Sequence, residues 1–480
     1  MLEHMQDITT DVLIVGSGCA GLFAAKSCQG VKTTLITKNN FLSSNSFYSP
    51  WNMRVGSNEE LDFQKIKEAG LGLNDDKLLR IYAKGIASYT AEFDELSIKL
   101  RKTAIGCAPP GNKYPGKAVL EKLLARLKDR VELLPGSELV ALVKSNNAVT
   151  GALIKSGSGY LSINAKAVIM ACGGVGGMFQ NTTNMPADDG GALGAALRAG
   201  AMFVNPEFQM FHPFLIKDSK VPNVLFSGEM LSKLNMVNKD GVEFLSADIR
   251  DAIRRYDYHH IFPQMLKDIY DESRRGKIYL DFGNFRESEF ERLKVENEYG
   301  WLLNYIKIGQ LVEFAPAEHY FVGGLKINEK CETNLRGFYA CGECAGGLHG
   351  ANRIGGNGIP EGIIFGRIAG LNASMYAKST ATCKNADATA NETMGYDKIL
   401  KLRKIMWDNC GIERDDNSLK NAASELNELG SFNQTLLARL IVHSSMVRRY
   451  SVGVFRRSDF PQTPEIKENN YIDIRGLVDA

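Results

Sequence analysis

The fourteen residues GLHGANRIGGNGIP, Gly347 to Pro360, contain one arginine, one histidine and five glycines. That mixture suits a loop that brings a cation and bare backbone against a bound ligand. Arg353 can hold a carboxylate through two parallel N–H···O bonds, which a lysine cannot do. Two more side chains have chemistry suited to such a ligand. His212 precedes Pro213 and His319 precedes Tyr320, and an imidazole can donate, accept or move a proton near neutral pH. Taken alone, each equally suits a core histidine bonded to backbone. His259 and His260 close the stretch DIRDAIRRYDYHHIF, with Arg255 one helical turn before His259, and that stretch also reads as a solvated helix. His349 reads as structural, bonded to backbone. Cys341 and Cys344 have redox-pair spacing, but packing of small side chains is the better reading. A single close pair is too few ligands for a structural zinc or an iron–sulphur cluster, so no metal site is expected.

The elements that must position these residues show in the local pattern. DVLIV, residues 11 to 15, is a short apolar run that reads as a buried strand. GSGCAG follows at once, then the helical LFAAKSC and a second strand, TTLITK, at Thr33 to Lys38. A strand, Gly-x-Gly-x-x-Gly, a helix and a strand make the dinucleotide-binding fingerprint in its required context. Gly16 allows the tight turn, Gly18 lets backbone approach a pyrophosphate, and Gly21 lets helix pack on strand. The helix start, at Cys19 and Ala20, offers N–H groups and a positive dipole end. The acid that normally ends the second strand and binds ribose is missing: Thr37 and Lys38 stand there. AKAVIMACGGVGGMF and FYACGECAGG are further strand-to-glycine junctions. Between the first two junctions, Val131 to Ile163 alternates like antiparallel strands. After the third, GIPEGIIFGRIAG reads as a helix with small residues on one side.

At 480 residues the chain calls for two or three domains. The junctions assign residues 1–213 and 315–376 to one discontinuous nucleotide domain. Residues 214–314, rich in charge and aromatics, read as an inserted α+β lobe. Residues 377–392 read as a linker, and 393–480 as a helical C-terminal domain. A net charge of +2 gives no reason to expect nucleic acid or an anionic membrane as partner. No apolar run is long enough to span a bilayer, and no secretory signal is visible. Nine scattered cysteines suit reduced thiols in a cytoplasmic protein.

In this order the motifs resemble the flavoprotein family of succinate dehydrogenase, fumarate reductase and L-aspartate oxidase. ACGGVGGMFQNTTN with DDGGALGAALRAGA is similar to the family's second FAD-contacting segment. EFQMFHPF resembles its Phe-His-Pro motif and AEHYFVGGLKIN its His-Tyr-x-x-Gly-Gly motif. FYACGECAGGLHGANRIGGNGIPEGIIFGRIAG resembles its most diagnostic stretch. The resemblance covers nearly the whole chain. It implies an α/β fold with a Rossmann-like FAD-binding domain, an inserted capping (substrate) domain and a helical C-terminal domain. It further implies hydride transfer between flavin N5 and a carboxylate-bearing substrate held by His212, His319 and Arg353. FAD contacts are implied at Gly16, Gly18, Cys19, Ala20, Gly21, Lys38, Ser44, Asn45, Ser46, Ala171, Cys172, Gly173, Asp189, Gly342, Glu343, Asn357, Gly358 and Ile359. Asn45 stands where some members carry the histidine that bonds covalently to FAD, which implies noncovalent FAD. Any iron–sulphur cluster would belong to a separate electron-transfer subunit.

The departures from the family concern substrate handling. SGEMLSKLNMVNKDG keeps Glu229 but has Ser232 and Lys233 where an Arg-Gly-Glu-Gly run should begin. The family's proton-shuttle arginine falls near His259, with Arg255 a turn earlier. SPWN, residues 49 to 52, replaces Ala-Gln-Gly-Gly, and RYSVG, residues 449 to 453, replaces Arg-Glu-Ser-Arg-Gly. The expectation is therefore a kept FAD site with an altered substrate pocket. The alternatives are an L-aspartate oxidase or, in another class, a non-catalytic FAD subunit for electron relay or assembly.

Overall fold

The computed structural model describes residues 6–103, 105–111, 113–218, 220, 229–255, 262–297, 299–381 and 393–477. In chain order the main elements are β1 (Gln6–Val15), α1 (Cys19–Ser27), β2 (Thr33–Ile36), β3 (Val131–Leu134), β4 (Ser137–Ser145), β5 (Ala148–Ser156), β6 (Gly159–Met170) and α2 (Gly191–Arg198). The inserted lobe contributes β7 (Gln209–Ile216), β8 (Asn235–Asn238), α3 (Phe262–Arg275), β9 (Ile278–Asp281) and β10 (Leu311–Phe321). The chain then returns through β11 (Phe338–Ala340) and α4 (Gly358–Ser379), and continues as α5 (Tyr396–Cys410), α6 (Asp416–Leu429) and α7 (Asn433–Val447).

The central sheet runs β3-β2-β1-β6-β5-β4, with β11 beside β6. β3, β2, β1, β6 and β11 pair in parallel, the doubly wound core expected of a dinucleotide fold. Its central strands are apolar on both faces, with Val12, Leu13, Ile14, Leu35, Ile36, Val168 and Ile169 fully buried. Within residues 131–163, β4, β5 and the first half of β6 pair antiparallel, but β5 is buried on both faces from Ala148 to Ile154 and does not alternate. Val131–Leu134 instead joins β2 in parallel. β6 spans both regimes because it is long enough to pair with β5 at one end and β11 at the other.

Glycine permits the closest approaches. A Cβ on Gly16, at φ +113, would lie 2.2 Å from the Ala171 carbonyl oxygen, and one on Gly21 would lie 1.9 Å from that of Gly16. Neither position has room for a side chain, so the turn and α1 seat directly against the strands. The small-residue face of α4 works the same way, with Gly366 and Gly370 resting on the Ala20 and Ala24 carbonyls of α1.

The inserted lobe has its own apolar core, drawn from residues between Phe214 and Phe314, under the antiparallel sheet β7-β10-β9-β8. Two sequence expectations need correcting. The stretch read as a linker from residue 377 begins too early, because α4 runs to Ser379, and 382–392 lie outside the described residues. The C-terminal region is helical only to Val447; beyond it the chain folds back as irregular segments, with one short strand and a 3-10 turn.

Candidate functional site

A cavity of about 1940 Å³ lies between the nucleotide domain, the inserted lobe and the folded-back C-terminal segment. Typical ligand pockets hold roughly 300–1,000 Å³, so this one has room for a dinucleotide and a small substrate together. Its wall includes Gly16, Gly18, Cys19, Ala20, Lys38, Ser44, Asn45, Ser46, Ala171, Cys172, Gly173, Asp189, Gly342, Glu343, Gly358 and Ile359, and also His212, His319 and Arg353. Gly21 stands behind the wall in its packing role. Asn357 also lies off the wall: it caps α4, its side-chain amide is fully buried without a hydrogen bond, and Gly358 and Ile359 face the cavity instead.

Several features fit FAD. A Cβ on Gly18 would meet nothing nearer than Ser46 Oγ at 3.4 Å, which leaves open space where a pyrophosphate would approach the start of α1. Ser44 Oγ is buried at the wall with no hydrogen-bond partner. The first turn of α4 aims N–H groups at the cavity from Gly358 and Ile359, where the helix dipole favours a negative flavin edge. Beside the end of β2, which lacks an acid, a glutamate stands on another strand. Ser137 N donates to the Thr37 carbonyl at 2.8 Å, and Glu138 beside it pairs with Lys38 at 2.7 Å. Lys38 also pairs with Asp189 at 2.8 Å, and Asp189 accepts from Gly191 N at 3.0 Å. Asn45 donates to Asn184 Oδ1 at 2.9 Å and accepts from Met185 N at 2.8 Å, so its side chain is an anchor.

Beneath this half, three carboxyls meet one glycine turn. Glu343 occupies the space a Cβ on Gly174 would fill, Glu318 the space beside Gly176, and Asp188 sits against Gly173. Burial and mutual repulsion raise Asp188 and Glu318 well above the carboxylate range. Burial pushes Glu343 up to about 7, although it accepts from Phe321 N at 3.0 Å. Glu318 is fully buried, accepts from Asn184 at 2.9 Å with Oε2, and leaves Oε1 without a partner.

The other half holds the imidazoles and Arg353. Met210 faces Tyr320 across β7 and β10, yet Phe211 faces Glu318, so His319 is an extra residue in β10; a second irregularity follows His212 at Pro213 and Phe214. A regular ladder would send His212 and His319 to opposite faces, whereas a bulge re-aims a side chain. Their rings end 5.5 Å apart. His212 Nδ1 accepts from Phe214 N at 3.3 Å, which leaves the proton on Nε2 as a donor. Thr183 Oγ1 lies 2.8 Å from His319 Nδ1 and donates to the Glu318 carbonyl at 3.3 Å. A hydroxyl has one proton, so that bond makes His319 Nδ1 the donor to Thr183 and leaves Nε2 unprotonated. Burial and the charge of Arg353 push His212 down to about 3 and His319 well below its usual value. Both rings are therefore neutral.

Arg353 is 7% exposed and forms no ion pair among the described residues. Its guanidinium lies over the Tyr320 ring at 4.1 Å, with Nη2 3.9 Å from Met210 Sδ and Nε without a partner. Tyr320 Oη donates to Glu361 at 2.5 Å, and His349 Nε2 lies 2.9 Å from the same carboxylate oxygen. His349 is structural as expected, but its partner is this buried acid and not backbone.

Arg255 does not join them. It is exposed at the end of the helix Ala247–Arg254, donates to the Asp251 carbonyl, and lies off the cavity wall, because that helix turns its apolar face into the lobe's own core. His259 and the Glu229 side chain lie outside what the structure describes. Lys233 pairs with Glu289 at 3.2 Å. Cys344 is buried and donates to the Met170 and Cys341 carbonyls at 3.2 Å, a packing role. Sequence reasoning missed Asp188, Thr183, Glu138 and Glu318. The doubled acid in DDGG and the acid beside His319 were the only local signals; Thr183 and Glu138 had none.

Residues 11–359 match the FAD binding domain family. A fumarate reductase (CoM/CoB) subunit from Methanothermobacter marburgensis is 27% identical over 96% of this chain and 96% of that protein. The L-aspartate oxidase of Saccharolobus solfataricus is 26% identical over 94% of this chain and 96% of that protein. In fold, the chain is similar to Mycobacterium smegmatis Sdh1 solved with UQ1, with a TM-score of 0.82 at 22% identity over 95% of this chain and 90% of that one. No helix among the described residues is long and apolar enough to cross a membrane. The chain belongs to the FAD-binding domain family that the succinate dehydrogenase and fumarate reductase flavoproteins share, and it is an FAD-dependent oxidoreductase.

Proposed function

We propose that the protein moves hydride between the N5 of a noncovalently bound FAD and a carboxylate-bearing substrate, in a pocket altered from the dicarboxylate pattern. The observation that carries this reading is Arg353, a buried cation with no counter-ion among the described residues, beside two neutral imidazoles on one wall of the FAD-sized cavity. An unpaired buried charge is costly to keep, and an incoming carboxylate supplies the missing partner. FAD, when bound, supplies the hydride chemistry. Arg353 and the Nε2–H of His212 would orient the substrate, and His319 Nε2 would accept or return a proton.

The test is anaerobic mixing of holoenzyme, reduced by dithionite, with α,β-unsaturated carboxylates. Flavin reoxidation is expected, slowed by roughly a hundredfold in Arg353→Gln, as for loss of a charge-stabilising donor. Acid precipitation should release the flavin intact into the supernatant, since no histidine stands at position 45. Flavin that reacts with no small acid, but does so with an iron–sulphur protein partner, would overturn the enzyme reading in favour of electron relay. The likeness to L-aspartate oxidases supports a second reading, in which L-aspartate reduces the oxidised flavin.

A further inference from the structure

We propose that the substrate subsite takes a monocarboxylate with an apolar body and does not take a short dicarboxylate. The inference rests on the proposed function above and names the substrate class for that same site. A short dicarboxylate needs a second fixed cation a few ångströms from the first. Arg353 is the only Arg or Lys on the described cavity wall that is buried without an ion pair. His212 and His319 are neutral, so they add hydrogen bonds but no charge.

Most other cations on the described wall are engaged elsewhere. Lys267 pairs with Asp271. Arg457 pairs with Asp416 at 2.5 Å and with Asp459 at 2.6 Å. Arg403 donates to the Gly177 and Pro186 carbonyls at 2.9 and 3.1 Å. Lys217 lies five residues beyond His212 along the strand, roughly 16 Å at about 3.3 Å per residue, and donates to Asn181 Oδ1 at 3.2 Å. Arg54 lines the cavity and donates through Nε to the Gly355 carbonyl at 2.8 Å. Arg456, half-buried on the C-terminal segment, and Lys65, exposed on its helix, also line the cavity. Residues 221–229 and 256–261, outside what is described in full, contain no arginine or lysine in the sequence.

Beside the imidazoles and Arg353 the wall carries apolar side chains. The Phe262 ring lies 5.7 Å from the His212 ring. Leu266, one turn along α3 on the same face, also lines the cavity. Met210 touches Arg353, and Val452, buried on the returning C-terminal segment, lines the cavity in place of the family's arginine. A second carboxylate placed against them would lose its water without gaining a partner, whereas an alkyl or aryl group is stabilised there by leaving water.

The test is equilibrium binding to the oxidised holoenzyme, read as perturbation of the flavin spectrum and by titration calorimetry. The probes are trans-cinnamate and hydrocinnamate against fumarate and succinate. The monocarboxylates are expected to bind at least tenfold more tightly than the dicarboxylates. Arg353→Gln should weaken them tenfold or more, and Leu266→Asn should narrow the preference for cinnamate over fumarate severalfold. Equal affinity for the two classes, or tighter dicarboxylate binding, overturns this inference and leaves the proposed function standing. Dicarboxylate binding that is lost in Arg54→Gln or in Arg456→Gln would identify the second cation that the inference denies. If no carboxylate of either class binds to FAD-loaded protein, the proposed function itself fails.

Discussion

At the scale of single residues, the site separates a fixed charge from groups that titrate. Arg353 has no carboxylate partner among the described residues, and the imidazoles beside it are held neutral by burial and by its charge. Glu343 behaves differently, because burial lifts it to about 7 within reach of the Arg353 field. Below pH 7 it is protonated and leaves the guanidinium's attraction for an anion intact. Above pH 7 it ionises and opposes that attraction. Carboxylate binding, measured as the dissociation constant of cinnamate between pH 5.5 and 8.5, should therefore weaken as pH rises through about 7, by several-fold. Glu343→Gln should abolish the step. If the step survives that substitution, one of the imidazoles titrates in this range and the neutral assignment of the pair is wrong. The stability sign follows from the same shift. Between pH 4.5 and 7 the unfolded chain has lost this proton while the folded chain keeps it, so stability from Glu343 falls across that window as pH rises.

At the scale of elements, the C-terminal helices are tied to the nucleotide domain through buried ions. Glu207, just before β7, pairs with Arg448 at 2.6 Å with both side chains fully buried. It also accepts from Ser444 at 2.5 Å and from Asn470 at 2.9 Å. Arg414 donates to the Glu207 carbonyl and to Gln209 Oε1 at 2.8 Å each. This network fixes the start of β7, and with it His212, against α7 and against the segment that carries Val452. Removing one member of a buried pair strands the other charge, at a cost of about 3–5 kcal/mol. Glu207→Ala should lose that much in urea unfolding, while Arg439→Ala, remote from the network, should not. A loss below 1 kcal/mol would show that Arg448 finds solvent or another partner. The acid that the end of β2 lacks belongs to this scale too. Glu138 reaches Lys38 from β4 only after the sheet has formed, which no local pattern at Thr37 and Lys38 records.

At the scale of the whole molecule, the cavity wall is assembled from segments near residues 16–20, 38–54, 171–193, 210–217, 262–267, 341–362 and 451–458. A ligand spanning them binds only the folded chain, so FAD should stabilise it by RT ln(1 + [L]/Kd), about 2.7 kcal/mol at a hundredfold excess over Kd. Apoprotein should melt lower than holoprotein, with Tm rising as FAD is added; a Tm indifferent to FAD would mean that the cavity does not couple these segments.

The sequence by itself determined the parts whose physics is local. Gly16 and Gly21 announce a turn because no side chain fits there, whatever else surrounds them. The apolar run before them and the helix after them complete the unit within some twenty residues. The loop from Gly347 to Pro360 was legible for the same reason, as glycines and one arginine between a strand and a helix. Only the tertiary structure decided what Arg353 and its neighbours can do. Two irregularities in the pairing of β7 with β10, elements about a hundred residues apart, put His212 and His319 on one face. The glycine turn after β6 gathers Asp188, Glu318 and Glu343 from three distant segments. Pairing register, and the burial that sets charge, depend on which surfaces meet, and a residue's sequence neighbours carry no record of that.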